Sequence, residues 1–521
     1  MPEKRNDFCD VYGQLREQFA AELGEKQSTY GLAGRSVREE IVRCVWFGSH
    51  FPSEGLTTDD GRRMEVLSPG WWNVEGGPDF IRAEFVLEGT GRVVGDVEVH
   101  TLASSWHAHG HDRQPEYNDV ALHVVMWNDR DEPCVLAQDG KQIPQLTLSN
   151  VIEEDLEELV EVIGPEDETP LYARAAVEGR YCGPAYASGE IGPEWLGGLL
   201  DAAGDHRLFT RAATCAGLFE NHPREQLLYE RVAEALGYKN NRMPFMQLAG
   251  LLPAHLLRER VPADATFEEK SLILEAALFS VAGFLAAVEP EDADPETVAH
   301  VGELRRRWRD FGAPPTQVNL GPEHWHFAGT RPANYPTRRI AALARLYAGH
   351  LHGGLFSHLL RRVAGVSRPT GRGRLDTALR GALLDTFLQL DHPYWSHRYG
   401  FGAKKFGNPR ALVGRQRATS ILVDVLLPML LAHARAEGDT ETAERMQLVW
   451  QRMPPRPGNA VTRRMNQVIF GSREEARKVV GSTRRQQGLH QIYRDCCRTS
   501  RGCERCIVYL AHTSGRTFDG Q

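Results

Sequence analysis

The sequence predicts an α/β N-terminal domain with a mixed sheet, followed by a mainly α-helical body. In the first part, two segments of alternating apolar and polar residues flank Gly89-Thr90-Gly91, the pattern of two strands joined by a tight turn. Beyond residue 180, apolar residues recur at helical spacing between Pro and Gly clusters. We therefore divide the chain into an α/β domain over 1–165, a helical domain over 180–450 and a basic helical tail over 451–521.

The composition is that of a folded globular protein. Of the 521 residues, 41% are hydrophobic and 25% are charged, which suits two or three domains with cores of their own. The first 18 residues are charged and polar, and no apolar run is long enough to cross a bilayer, so neither export nor a membrane partner is indicated. Most cysteines are scattered singly, as reduced thiols are. We expect a cytoplasmic protein.

Local signals place the elements of the first domain. Ser36 and Glu39 form a capping box, so a helix begins there and carries Glu39 and Glu40 in its first turn. Three predicted strands follow, over 80–89, 92–100 and 120–128.

Acidic residues collect at one end of the predicted hairpin. Asp79 opens its first strand. Asp96, Glu98 and His100 share one face of the second strand, because side chains alternate along a strand. Antiparallel pairing about Thr90 then puts Asp79 within a residue or two of His100. An ordinary half-buried strand also alternates in this way, but clustered like charges repel unless a proton or cation lies between them.

This spacing resembles the PD-(D/E)xK nuclease superfamily, in which an aspartate begins one strand and a Glu-x-Lys ends the next. The resemblance covers about 25 residues and implies that Asp79, Glu98 and His100 are catalytic, with His100 in the place of the lysine. It also implies that the acidic pair holds Mg²⁺ or Mn²⁺ and that DNA or RNA is the partner. His100 either supplies the positive charge of the lysine or binds the ion as a neutral imidazole.

Histidines follow the hairpin at close spacing. His107, His109 and His111 alternate in one loop, and His123 lies in the next strand. Imidazoles in this pattern bind transition ions or carry protons beside a metal-bound water, and the alternative is a loop that makes hydrogen bonds alone. The expected metal ligands are Asp79, Asp96, Glu98, His109 and His111. Further candidates for the site are Glu40, His107, Tyr117 and His123.

The grouped cysteines lie near the C-terminus, at Cys496, Cys497, Cys503 and Cys506. Thiolates two residues apart hold one side of a tetrahedral Zn²⁺, and His490 or His512 could complete it. The spacing from Cys496 is also similar to the iron–sulfur loop of endonuclease III type DNA glycosylases, with His512 where that family has its fourth cysteine. We expect a structural Zn²⁺ or iron–sulfur site at the four cysteines, and reduced thiols without a metal are the alternative.

Arginines are concentrated in the tail, and two loops of the helical part are rich in polar groups. A basic tail can meet the phosphates of a nucleic acid or balance an acidic neighbour. The loops, over 330–336 and 406–410, could bind a polar ligand, but Pro and Asn are also typical of rigid turns that start helices.

Most of the chain is also similar to a bacterial family catalogued as a domain of unknown function. The similarity is carried by GWWNVEGGPDF, GDVEVH, WHAHGH, YNDVALHVV, GYKNNRMPF and RPANYP. That family implies no activity. Three functions stay open: a metal-dependent nuclease acting through the hairpin, another metal-dependent hydrolase that uses the histidine-rich loop, and a non-catalytic nucleic-acid-binding or scaffold protein.

Overall fold

The chain forms two structural units. Residues 30–167 make up the N-terminal unit, and residues 1–29 with 168–521 make up the helical unit. The predicted boundaries at 165, 180 and 450 stay predictions, because a unit within one structure is not by itself an independently folding domain. This computed structural model describes residues 10–19, 39–47, 51, 55–73, 77–130, 132–151, 181–238, 241–288, 293–312, 320–327, 330–368, 373–497 and 503–518.

A mixed sheet belongs to the N-terminal unit. Its strands are β1 Leu56–Thr57, β2 Arg63–Ser68, β3 Trp71–Trp72, β4 Phe80–Leu87, β5 Gly91–Leu102, β6 Val120–Trp127, β7 Cys134–Leu136 and β8 Gln142–Thr147. Their spatial order is β1-β2-β4-β5-β6-β8-β7, and β3 also pairs with β4. The β5–β6 and β6–β8 pairs are parallel and the others are antiparallel. The predicted mixed sheet is confirmed.

Helices dominate the rest of the described chain, so the predicted helical body is also confirmed. Helices α2 and α3 below belong to the N-terminal unit and the others to the helical unit. In chain order they are α1 Val11–Gln18, α2 Glu39–Phe47, α3 Ser105–Ala108, α4 Cys182–Ala187, α5 Pro193–Asn221, α6 Arg224–Leu236, α7 Arg242–Leu251, α8 Ala254–Arg260, α9 Phe267–Val281, α10 Pro295–Phe311, α11 Pro336–Ala348, α12 Leu355–Ala364, α13 Leu375–Leu388, α14 Arg415–Ile421, α15 Leu427–Ala436, α16 Thr440–Gln451, α17 Ala460–Phe470, α18 Arg473–Val479, α19 Thr483–Ile492 and α20 Ile507–Thr513.

Strands β4 and β5 form the predicted hairpin. Leu87 pairs with Gly91 across the turn, and Phe80 pairs with Val97 at the far end. This register places Asp79, one residue before Phe80, beside Glu98. The hairpin therefore brings the two predicted carboxylates together, within two residues of His100 as expected.

The connection from β5 to β6 determines where the histidines lie. Two parallel strands cannot be joined by a tight turn, so residues 103–119 must cross from the end of β5 to the start of β6. This crossover contains α3 and two 3₁₀ turns, His111–Arg113 and Pro115–Tyr117. The histidine-rich loop of the sequence is therefore the crossover itself.

One stretch of the described helical unit has the length and apolar character of a membrane span. It is Arg415–Ala436, in which α14 and α15 are joined by a π-helical segment, Leu422–Leu426. However, 72% of its apolar window is buried inside the protein. A helix that is apolar on all sides and covered by protein is typical of a core helix.

Helix α19 packs closely on α5 through glycines. A Cβ atom added at Gly488 would lie 2.0 Å from the carbonyl oxygen of Leu200, and one added at Gly204 would lie 2.2 Å from that of Arg484. Both distances are shorter than any normal van der Waals contact. The tail helix can approach the long helix this closely because neither glycine has a side chain.

Carboxylates of α5 neutralise part of the basic tail. Arg484 Nε donates to Asp205 Oδ1 at 2.7 Å, and Arg485 Nη2 lies 2.9 Å from Asp201 Oδ2. For these two arginines, the structure favours charge balance with the carboxylates of α5 over contact with the phosphates of a nucleic acid.

We expect Gly488→Ala to lower the free energy of unfolding by roughly 1 to 3 kcal/mol, the usual cost of inserting a methyl group into a packed interior. The matched control is Gly302→Ala within α10, where an added Cβ meets no atom within 4 Å. That control should raise stability by up to about 1 kcal/mol, because alanine is the better helix former. Urea unfolding measures both, and equal stability of the two variants would contradict the close packing.

Candidate metal centre

Buried polar residues form a row across the parallel part of the sheet. Glu98 on β5, His123 on β6 and Gln145 on β8 are partners in register, so their side chains share one face. His100 follows Glu98 by two residues and faces the same way. The exposed fraction of each of these four residues is 4% or less. Polar groups buried to this extent require partners.

Trp106 anchors the crossover above this row. Its indole Nε1 donates to the carbonyl oxygen of Leu136 at 3.0 Å. Its ring packs against His111 and His123, with centroid separations of 5.4 and 5.1 Å. Trp106 is thus a structural anchor, as large buried aromatics usually are, and it holds the crossover against the sheet.

Gly110 turns the crossover so that two histidines reach the same strand. Its φ of 78° lies in the left-handed region that favours glycine. The flanking His109 and His111 rings lie 4.9 and 5.2 Å from the His100 ring, centroid to centroid. The predicted loop histidines and the hairpin histidine therefore form one cluster.

A chain of hydrogen bonds fixes which nitrogens carry protons. Gln145 Nε2 donates to Asp59 Oδ2 at 2.7 Å and to the carbonyl oxygen of Glu132 at 3.2 Å. Because both partners are acceptors, the Gln145 Oε1 is the atom that faces His123 Nδ1, at 2.9 Å. His123 therefore donates from Nδ1 and accepts at Nε2, which lies 3.0 Å from His100 Nδ1. His100 in turn presents the lone pair of its Nε2.

Burial keeps these two imidazoles neutral. It lowers the pKa of His123 to about 3. Burial, together with His123 and the loop histidines, also holds the pKa of His100 far below its ordinary value. His100 therefore cannot carry the charge of a lysine near neutral pH. Of the two forms expected for it, His100 has the neutral imidazole.

Polar atoms of four side chains, those of His100, His109, His111 and Glu98, lie close together at this cluster. His111 Nδ1 faces Gln114 Oε1 at 3.3 Å, which leaves Nε2 as the lone-pair atom, 3.2 Å from Glu98 Oε1 and without a hydrogen-bond partner among the described residues. His100 Nε2 lies 3.4 Å from the same oxygen and 3.1 Å from His109 Nδ1. One ligand nitrogen of each of these three histidines lies within 4.8 Å of the others. A proton on His111 Nε2 would satisfy its contact with Glu98, and a divalent cation could instead be held by the same atoms.

Asp79 holds Glu98 in place. The backbone N–H of Asp79 donates to Glu98 Oε2 at 2.9 Å, so Glu98 offers its other oxygen, Oε1, to the histidines. The Asp79 carboxylate accepts from the backbone N–H of Val99 at 3.1 Å and lies 3.0 Å from Arg43 Nη2. Burial and the charge of Glu98 raise the pKa of Asp79 to about 8, against the opposing effect of Arg43.

Three residues of this site were not among the sequence candidates. Arg43 on α2 contacts Asp79 and, one helical turn away, Glu39 at 2.5 Å. Asp59 and Gln145 complete the hydrogen-bond chain behind the histidines. No local pattern pointed to Asp59 or Arg43, and the sequence did not distinguish Gln145 from Gln142 and Thr147, the other polar residues of β8.

Two sequence candidates have other partners. Asp96 accepts a hydrogen bond from the backbone N–H of Arg82 at 3.1 Å. His107 lies 3.4 Å from Asp112 and 3.7 Å from Glu132. Within the described residues, no hydrogen bond or ion pair joins either of them to the three clustered histidines.

Tyr117 borders the cluster. Its ring lies over that of His111, with centroids 3.8 Å apart. Burial and the charges of Glu98 and Asp79 raise its pKa to about 12, so its hydroxyl stays protonated and can donate. The side chain of Glu40 lies outside the described residues.

The four predicted tail cysteines lie in the helical unit. Cys496 and Cys497 end a π-helical turn, Tyr493–Cys497, and Cys503 begins a 3₁₀ turn before Cys506. Cys182, which the sequence shows as a single cysteine, joins this group.

Comparison with known proteins identifies the family. A family model described as Protein of unknown function (DUF2851) matches residues 39–459, which is more than half of the chain. The chain belongs to this family, as the shared segments indicated. No curated protein and no solved structure matches the chain. The resemblance to PD-(D/E)xK nucleases therefore rests on the hairpin alone.

We expect the full-length protein to bind a divalent transition ion at this cluster. His111→Ala should weaken binding more than about 100-fold, since loss of a direct ligand costs more than loss of an outer-shell partner. Titration calorimetry with Zn²⁺ and Mn²⁺ measures the affinity. The control is His107→Ala in the same loop, which should bind as the unaltered protein does. Equal affinities of the two variants would contradict the assignment of the ligands.

Proposed function

We propose that the N-terminal unit is a metal-dependent nuclease whose ion is bound by His100, His109, His111 and Glu98. The proposal is carried by the proximity of their ligand atoms: His100, His111 and Glu98 are buried, and His109 is exposed. Each buried polar group left without a partner costs about 1 to 3 kcal/mol. A bound cation removes that cost, activates water at neutral pH and stabilises the charge that develops on a phosphate during hydrolysis.

The donor set indicates which ion fits. Mg²⁺ prefers oxygen ligands, whereas imidazole nitrogens suit Zn²⁺ and other transition ions. Three nitrogens and one carboxylate oxygen therefore fit Zn²⁺ best. Of the two ions that the hairpin resemblance implied, Mn²⁺ fits better than Mg²⁺ because it is a transition ion that also accepts carboxylate oxygen.

The other residues of the site orient the ligands. Asp59 and Gln145 fix the tautomer of His123, which in turn points the Nε2 lone pair of His100 at the centre. Metal-bound histidines commonly depend on outer partners of this kind. The protonated hydroxyl of Tyr117, beside His111, is a donor available to a substrate oxygen.

A second function, hydrolysis of another class of ester, is favoured by one observation. The proposed ligands are mostly nitrogens, and such a set activates water for attack on carboxylic esters as well as phosphates. The proposal of a phosphodiester substrate rests on the resemblance of the hairpin to the PD-(D/E)xK nucleases. The third hypothesis, a binding or scaffold protein without turnover, remains an outcome of the test below.

Arg410 of the helical unit is a cationic group that a nucleic acid could contact. Arg410 is exposed, and its guanidinium lies 4.9 Å from the Phe406 ring centroid and 5.6 Å from that of Tyr399. Among the described residues it has no carboxylate within ion-pair distance. The buried Arg338 holds this loop, because its Nη2 donates to the carbonyl oxygens of Arg410 and Ala411 at 3.0 and 2.9 Å. A rigid cation stacked on aromatic rings suits both phosphates and bases.

We propose the cytoplasm as the location. The described cysteines are free thiols, and reduced cysteines are typical of that compartment.

The function is tested by incubating the full-length protein with supercoiled DNA, single-stranded RNA, bis-p-nitrophenyl phosphate and p-nitrophenyl acetate. Each reaction contains Zn²⁺, Mn²⁺, Mg²⁺ or EDTA. We expect metal-dependent cleavage of a nucleic acid, and its loss in His100→Ala and in His100→Lys, because a lysine ammonium cannot replace a neutral ligand. Turnover of the acetate ester alone would support the second function. Binding of nucleic acid without any turnover would support the third.

Removal of the hydrogen bond between Gln145 and His123 should reduce activity without removing a metal ligand. We expect Gln145→Ala to lower metal affinity or metal-dependent activity by about 10- to 100-fold, because His123 loses the partner that fixes its tautomer. Gln142→Ala, at an exposed position of the same strand, is the matched control and should have no effect. Activity measured across metal concentrations separates weaker binding from slower chemistry.

We expect Arg410→Ala to weaken nucleic-acid binding. It should also reduce the slope of the logarithm of the binding constant against the logarithm of the salt concentration by about 1, as loss of one phosphate contact does. Fluorescence anisotropy with a labelled oligonucleotide at several salt concentrations measures both. Arg306→Ala is the control, because Arg306 is exposed but paired with Glu303 at 2.7 Å. An unchanged slope in Arg410→Ala would remove this loop from the interface.

A further inference from the structure

Five cysteines from separate parts of the chain meet in the helical unit. Cys496, Cys497, Cys503 and Cys506 come from the tail. Cys182 begins α4, far away in the sequence, and packs in the same buried cluster. All five are free thiols. Of the described cysteines in this unit, Cys215 alone lies elsewhere, so the gathering is specific to one place.

The side chains of Cys182 and Cys496 both interact with the Cys506 thiol. Cys503 lies one turn before Cys506, whose backbone N–H donates to the Cys503 carbonyl oxygen at 3.0 Å. Cys496 and Cys497 pack against the same buried cluster as Cys182 and Cys506.

Backbone donors point at these sulfurs. The N–H of Ile507 donates to Cys496 Sγ at 3.4 Å. The N–H groups of Val508 and Tyr509 donate to the Cys506 sulfur. Hydrogen bonds to sulfur stabilise the thiolate form, which is the form that binds metals.

The histidines expected to complete the tail site have other partners. His512 Nδ1 lies 2.8 Å from the Tyr181 hydroxyl, and its Nε2 lies 3.1 Å from the carbonyl oxygen of Glu190. His490 Nε2 lies 3.1 Å from Asn459 Nδ2. Both nitrogens of His512 are thus engaged, and Cys182 lies in the same cluster as the tail thiols.

We propose that Cys182, Cys496, Cys503 and Cys506 bind a metal centre through four thiolates, with Cys497 as a neighbouring thiol. The centre is either Zn²⁺ or an iron–sulfur cluster, since both are held by four cysteines. Binding converts each thiol to a thiolate and releases its proton to solvent. The bound cation then compensates negative charge that would otherwise be buried among apolar side chains.

This centre has a structural consequence that is independent of the proposed nuclease activity. It ties α4 to the tail elements that end at Cys497 and begin at Cys503. A link between such distant points of a chain restricts the unfolded state and so stabilises the fold.

The experiment is metal analysis of full-length protein purified without oxygen. Zinc, iron and acid-labile sulfide are measured by plasma mass spectrometry and colorimetry on protein with the His111→Ala substitution, which removes one proposed ligand of the N-terminal site and so weakens metal binding there. We expect zinc in about equimolar amount, or iron with matching sulfide and a broad visible absorption band. The first result identifies a zinc centre and the second an iron–sulfur cluster.

Cys182→Ser in the same background should lose most of the metal, while Cys215→Ser should retain it. Circular dichroism and elution volume show whether each variant is folded. If Cys182→Ser does not fold, alkylation followed by mass spectrometry provides the test on the parent protein. The four proposed ligands should then be protected until a chelator is added. Protein that lacks both metals, with these cysteines alkylated freely or joined as disulfides, would overturn the proposal.

Discussion

The parallel pairing of β5 with β6 is the constraint on which the candidate site depends. It obliges residues 103–119 to cross the sheet, and the crossover carries His109 and His111 over the face that bears Glu98 and His100. An antiparallel connection would have been a short turn without room for these residues. The same pairing continues into β8, so that Gln145 stands in register with His123 and fixes its tautomer from behind.

The row of buried polar residues, Glu98, His100, His123 and Gln145, stabilises the fold less than apolar residues would. Apolar side chains at these positions would pack without the desolvation cost of a buried carboxylate and imidazoles. The structure instead satisfies one side of the row fully, from Asp59 through Gln145 to His123. On the other side, His111 Nε2 lies 3.2 Å from Glu98 Oε1 without a hydrogen-bond partner among the described residues. Residues that break the rules of core packing in this way are most often functional.

Much of the site could be predicted because its determinants are local. The hairpin register follows from a tight turn and strand alternation, so Asp79, Glu98 and His100 were brought together correctly. The loop histidines were near the hairpin in sequence, and the crossover kept them near in space. The prediction was less accurate where partners compete for a side chain. Asp96 is bonded to a backbone N–H of β4, and the His100 ring is too buried to carry the charge expected in one of its two roles.

The sequence by itself determined the fold class, the hairpin and the family, and it pointed to the histidines that the structure brings together. Only the tertiary structure decided which lone pairs face one another, because that depends on tautomers fixed by distant partners such as Asp59. It also decided that Arg43 pairs with Asp79 and that Cys182 joins the tail thiols. The physical reason is the same in each case: periodicity and turn chemistry act over a few residues, whereas these contacts join segments that meet only when the sheet and the helices pack.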